Sequence, residues 1–124
     1  MKVKCFKIYN EITKQYQETS YWITIGKEYL VLSVEIRLDR VSFLIQSDHN
    51  QQPILQNAHQ FEIVSKKIPT NWQIFSGTFE LITLEPKEWH QKRFWEDCYN
   101  HEQEALELYR KEVNLIKNEE DEFN

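Results

Sequence analysis

Hydrophobic and polar positions alternate through the first two thirds of the chain and then recur every three or four residues. In "YLVLSVEI", Leu30, Leu32, Val34 and Ile36 fall on one side and Tyr29, Val31, Ser33 and Glu35 on the other. That period of two predicts a long strand with one face fully buried. The turn signal "LDR" follows, and "VSFLIQ" alternates Val41, Phe43 and Ile45 with Ser42, Leu44 and Gln46, which completes a hairpin. Upstream, "VKCFKIY" and "SYWITI" read as strands, and Gly26 offers a positive-φ turn or bulge just before the long strand. Downstream, "FEIV" reads as a short strand between polar loops. Pro53 and Pro69 belong in those loops or on an edge, because neither can donate to a ladder. "WQIFSGTFELITL" adds one or two strands broken at Gly77. Five to seven short strands at turn spacing predict a curved antiparallel sheet or a small SH3-like barrel.

The period changes at "EPKEW". Pro86 suits a first helical turn, where its missing N–H costs nothing, and Glu85 and Glu88 complement the positive end of the helix dipole. From there to about Lys117 no Gly or Pro intervenes. Trp95, Tyr99, Leu106, Tyr109, Val113 and Ile116 share a helical face with Cys98 and Ala105. The expectation is an α+β domain over residues 1–118, with a long C-terminal helix packed on the sheet, continuous or broken near Asn100.

Charge changes the picture at the end of the chain. Residues 1–85 carry nine Lys/Arg and nine Asp/Glu, whereas residues 86–124 carry six and eleven, so the net charge of −5 lies entirely in the second part. Four of those acids are the run Glu119 to Glu122, and residues 119–124 are expected to be a disordered acidic tail. Direct nucleic-acid binding is disfavoured for want of a basic patch. At 124 residues a single domain suffices, and 14% aromatic residues predict a ring-rich core. Cys5 and Cys98 are too few for a disulfide framework and fit no zinc or redox spacing, so they read as reduced, buried thiols. There is no apolar run of signal-peptide or membrane-spanning length, and a cytoplasmic setting is expected.

The stretch "HQKRFWEDCYNH" looks the most chemical. On a continuous helix His90, Asp97 and His101 would line one edge of the apolar face, and their side chains are of the types that hold zinc or nickel. His90 would nonetheless stand about 10 Å before Asp97, too far to share one ion. No HExxH sequence is present. Cys98 and His101 could meet as a thiolate–imidazole pair, but Cys98 sits centrally on the apolar face, where burial keeps a thiol inert. With Gly26 and Gly77 as its only glycines, the chain builds neither a P-loop nor a dinucleotide-binding loop. No catalytic residue, metal ligand or cofactor is assigned. Trp89 and Trp72 remain as candidate exposed anchors, Trp89 because it falls opposite the apolar stripe.

Across "IGKEYLVLSVEI", "FEIVSKKIPTNWQI" and "LEPKEWHQKRFWEDCYNHEQEALELYRKEV", the chain resembles small bacterial immunity proteins of contact-dependent or polymorphic toxin systems. The likeness is one of pattern over residues 25–113 and rests on no short motif. It implies a non-catalytic protein that binds a cognate protein toxin, often a nuclease, and it transfers no site residues. An acidic surface would oppose a basic nuclease face, and Glu35, Glu96, Glu104 and Glu107 are the expected contacts. Two alternatives stand beside it: a metal-dependent enzyme using the His90/Asp97/His101 stripe, and a small β-barrel adaptor for RNA or peptide, with exposed rings as its platform.

Overall fold

The computed structural model of the chain describes residues 1–77 and 81–122 and is an α+β fold of antiparallel sheets followed by a C-terminal helix. Its strands are β1 (Lys2–Cys5), β2 (Ile8–Asn10), β3 (Gln15–Gln17), β4 (Glu28–Leu30), β5 (Ser33–Ile36), β6 (Val41–Gln46), β7 (Pro53–Asn57), β8 (Phe61–Ser65), β9 (Trp72–Ser76) and β10 (Ile82–Pro86). A 3-10 turn, Lys87–His90, leads to the helices α1 (Phe94–Tyr99) and α2 (Gln103–Glu120). The sheets have the orders β4-β1-β8, β7-β6-β5-β10-β9 and β2-β3.

These ten described strands exceed the five to seven expected, because long sequence runs divide where the backbone changes partners. "YLVLSVEI" is the clearest case. Its first half, β4, pairs with β1, and its second half, β5, pairs with β6 and β10. Between them the Val31 N–H donates to the Met1 carbonyl and the Leu32 N–H to the Leu44 carbonyl, at 3.0 and 2.8 Å. Tyr29 and every residue from Val31 to Val34 are buried, so the expectation of one buried face is corrected to two. A second run crosses from β7 to β8 through the 3-10 turn Ala58–Gln60, where the Asn57 side chain accepts from the His59 N–H at 3.2 Å.

Local expectations hold elsewhere in the sheets. β5 and β6 form the hairpin, closed by the Arg37 N–H on the Arg40 carbonyl at 2.8 Å. Gly26 has φ +91°, which a β-carbon would resist. Pro53 opens the edge strand β7, where a missing donor is tolerated. β9 and β10 pair on either side of Gly77, whose N–H donates to the Leu81 carbonyl at 2.9 Å.

The helical segment departs from expectation at both ends. Strand alternation continues through "ITLEP", so Pro86 ends β10 opposite Trp72 and does not open a helix. α1 begins only at Phe94. His101, with φ +59°, then breaks the helix, and its N–H caps the Cys98 carbonyl at 3.0 Å. Of the two forms expected, the broken helix is the one present. At the far end α2 continues through Glu120, so Glu119 and Glu120, expected in the tail, are helical. Glu119 accepts from the Thr70 N–H and hydroxyl. Glu120 meets the N-terminal ammonium and the Ser65 hydroxyl. Burial opposes ionisation of Glu120, yet those two donors hold its carboxyl below the usual range. Residues 123–124 lie outside the described residues.

One buried cluster joins both larger sheets to the helices. Val3, Ile23, Val31, Leu32, Ile45 and Ile116 are inaccessible to within 1%. Tyr29, Phe61 and Phe43 meet edge to face, and Trp89, Phe94, Trp95 and Tyr109 form a second group of rings. Trp89 is 1% exposed, and Trp72 donates its indole N–H to the Leu32 carbonyl at 2.9 Å. Both tryptophans considered as surface anchors are therefore core residues.

Candidate functional site

Strand register decides which side chains share the outer face of the five-stranded sheet. Glu35 stands opposite Ser42 on one neighbour and Thr83 on the other. Ser33 stands opposite Leu44, and Leu44 opposite Leu55. Alternation then puts Glu85 on the same side as Thr83, and Phe75, paired with Thr83, beside them. The 3-10 turn and α1 rise over one end of this face. Together they enclose a groove of about 390 Å³ whose lining includes Glu35, Glu85, Trp89, His90, Trp95 and Tyr99.

Glu85 is the unusual member. It is only 7% exposed, where a carboxylate belongs only if it is paired. Its Oε1 lies 2.7 Å from His90 Nδ1, and the His90 ring stacks on Phe75 with centroids 3.9 Å apart. Burial pushes the Glu85 carboxyl above the usual carboxylate range and the nearby Glu35 charge adds to the rise, while the His90 bond opposes both. Glu35 is engaged from the strand end by Arg37 Nε at 2.7 Å.

The raised carboxyl makes a signed prediction. A group with a higher pKa folded than unfolded contributes stability below its unfolded pKa and loses it as pH rises through the folded value. The Glu85→Gln variant keeps an acceptor for His90 but sheds the buried charge. It is expected to melt at a higher temperature than the parent at pH 7, with the gap closing below about pH 4. Melting curves from pH 3 to 8 check this; equal curves at pH 7 would show that the buried charge is already compensated.

A second groove, of about 570 Å³, lies between the β2-β3 hairpin and the sheet and shares Glu35 and Leu55 with the first. Its Glu11 is engaged by Arg40 and Asn57 within the protein. The Glu85 groove thus has the less satisfied charge.

The expected contact residues divide. Glu35 lines both grooves. Glu96 is exposed on α1 with Arg93 at 3.6 Å, and Glu104 and Glu107 are exposed on α2, Glu107 accepting from Gln103 at 3.0 Å. These three stand outside the Glu85 groove. His90, Asp97 and His101 do not assemble: among the described residues no three His, Cys, Asp or Glu side chains are placed to hold a metal ion. Cys98 is buried, its thiol facing the Ala105 carbonyl at 3.6 Å and its pKa raised by that burial and by Asp97. Glu85, expected at a helix start, lies instead in β10, and Tyr99, expected on the buried helical face, is half-exposed; neither was read as a site residue from the sequence. The signal that could have found Glu85 is the alternation of "ITLEP", which sets Thr83 and Glu85 on the face opposite Ile82 and Leu84.

No helix among the described residues is long and apolar enough to cross a membrane. Comparison with known proteins finds no matching family model, no matching curated protein and no matching solved structure.

Proposed function

We propose that the chain is a non-catalytic immunity protein that binds and neutralises a cognate bacterial toxin with a basic surface, such as a nuclease domain. The observation that carries this reading is the Glu85 groove. Its fixed charges are both acidic, and it is walled by Trp95 and by Tyr99, which is 55% exposed. Aromatic and charged groups in one concavity are what a protein anchor side chain occupies. The carboxylates of Glu96, Glu104 and Glu107 extend the same sign of charge over the helices, which would speed encounter with a basic partner. Two buried free thiols suit a cytoplasmic setting. We read the two larger sheets as one SH3-like barrel, since β4 runs into β5, β7 runs into β8, and β1 pairs with both β4 and β8.

The test is coexpression with the product of the neighbouring open reading frame. Growth should be restored where that product alone is toxic, and the purified pair should form a stoichiometric complex. Alanine at Glu35, Glu96, Glu104 and Glu107 together should weaken that complex at least tenfold, about 1.4 kcal/mol. A complex of unchanged affinity in the fourfold variant would remove the acidic contact surface.

A further inference from the structure

We infer that the Glu85 groove receives one arginine side chain presented by the protein partner, its guanidinium taken by Glu85 and Glu35 and its flat face covered by Trp95 or Tyr99. This deepens the immunity reading and rests on it for the identity of the partner.

The argument begins with unused bonding capacity. Glu85 is more than nine-tenths buried, yet His90 reaches only its Oε1, and no hydrogen bond from the described residues reaches its Oε2. Oε2 is not among the fully buried polar atoms that lack a partner, so it is open to the groove, and a donor entering there meets a carboxylate oxygen that no described residue already holds. The missing partner of a carboxylate oxygen is a donor.

Charge narrows the donor to a cation. Glu35 and Glu85 line the groove, and among the described residues no Lys or Arg does; Arg37 reaches Glu35 through Nε from the strand end. Glu35 and Glu85 sense each other, since the charge of Glu35 raises the carboxyl of Glu85. A cation placed there would relieve both burial and repulsion. Shape then selects among cations. A guanidinium has five N–H donors in one plane, forms bidentate pairs with carboxylates and stacks on rings, whereas an ammonium is a compact and strongly hydrated point charge. Rings on one wall and carboxylates on the floor suit the planar group. The volume of about 390 Å³ accommodates a side chain with its adjoining backbone. His90 acts here as a positioning residue: its bond to Oε1 and its stack on Phe75 fix the carboxylate with the second oxygen free.

The experiment is an NMR titration of the full chain with Nα-acetyl-L-arginine amide, following the indole N–H signals of Trp89 and Trp95. The neutral isostere Nα-acetyl-L-citrulline amide and the lysine analogue serve as comparisons. Saturable shifts at millimolar arginine, a lysine response several-fold weaker and no citrulline response support the assignment. Glu85→Gln should weaken arginine binding about tenfold or more, the scale of a lost charge-assisted bond, while Glu62→Gln, at an exposed position of β8 outside the groove, leaves it unchanged. The first of these is expected to be the more stable protein, so unfolding would not mimic the loss. Equal responses to arginine and citrulline, or unchanged affinity in Glu85→Gln, would overturn the proposal. Growth protection is read separately. A toxin complex that forms while the arginine probe fails removes this inference alone; arginine bound without any protection removes the immunity reading and supports the groove.

Discussion

Replacing Trp89 by alanine is expected to cost about 3–5 kcal/mol of stability, the range for deleting a buried large aromatic. Trp89 is 1% exposed and packs against the rings of Phe94, Trp95 and Tyr109. It stacks on Phe94 and Tyr109 at 6.3 and 5.5 Å and meets Trp95 edge-on at 5.5 Å. No small shift of one neighbour fills the space, because each of those rings is held by the others. Domains of this size are stable by about 5–15 kcal/mol, so the substitution removes a large share. The melting temperature should fall by about 10–20 °C. Trp89→Phe keeps a ring in the stack and relieves the unpartnered indole N–H, and it should cost less than half as much. Urea titrations check both, with a lower midpoint and an unchanged slope marking a true loss of stability. A loss under 1 kcal/mol in Trp89→Ala would mean that the ring layer is not a structural unit.

Trp89 also shows where sequence periodicity loses its grip. The alternation of "YLVLSVEI" and "VSFLIQ" led directly to the hairpin β5–β6, because successive side chains of a strand point to opposite faces, even though both faces are buried over Ser33–Val34 and Ser42–Ile45. The same alternation is silent about partners. Nothing local in Val31 and Leu32 marks the point where one run leaves the three-stranded sheet for the five-stranded one; that is set by Met1 and Leu44, distant in sequence. For the helical segment, a periodic pattern fitted from Pro86 put Trp89 opposite the apolar stripe. The segment in fact holds three separate pieces, with left-handed residues at Arg93 and His101. Each break rotates the face that follows, so a residue excluded from the stripe is buried after all.

The groove was legible only in part for the same reason. Glu35 emerged from its place on the polar side of β5, a local fact. Glu85 did not, because a Glu-Pro pair ahead of a stretch without Gly or Pro equally describes a helix start, and only the pairing of β10 with β5 and β9 decides otherwise. The bond between Glu85 and His90 joins residues five apart that alternation alone would never bring together; the 3-10 turn folds one back onto the other. Where a turn reverses the chain, chemistry is assembled by geometry that no spacing rule encodes.

The fragment of residues 1–85 is expected to lose its packed core. Cutting before Pro86 removes Trp89, Phe94, Val113 and Ile116 from the buried cluster. At about 1.5–3 kcal/mol for each large side chain, their burial alone rivals the whole stability of about 5–15 kcal/mol. The cut also uncovers the other side of each contact. Gln46 loses Tyr109, Asn71 loses the Glu112 carboxylate at 2.7 Å, and the terminal ammonium and Ser65 lose Glu120. Those last bonds tie α2 to β1, β8 and the loop before β9, which are far apart in the chain, so the helix closes contacts that the strands do not make for themselves. The fragment should therefore bind a hydrophobic dye and give a collapsed amide spectrum while retaining strand-type circular dichroism. Adding a peptide of residues 86–124 in trans should restore dispersed signals, since the helical layer contributes packing and bonds that do not require covalent linkage. A well-dispersed spectrum from residues 1–85 alone would make the sheets self-sufficient and would reassign the helical layer from part of the core to an appended wall of the groove.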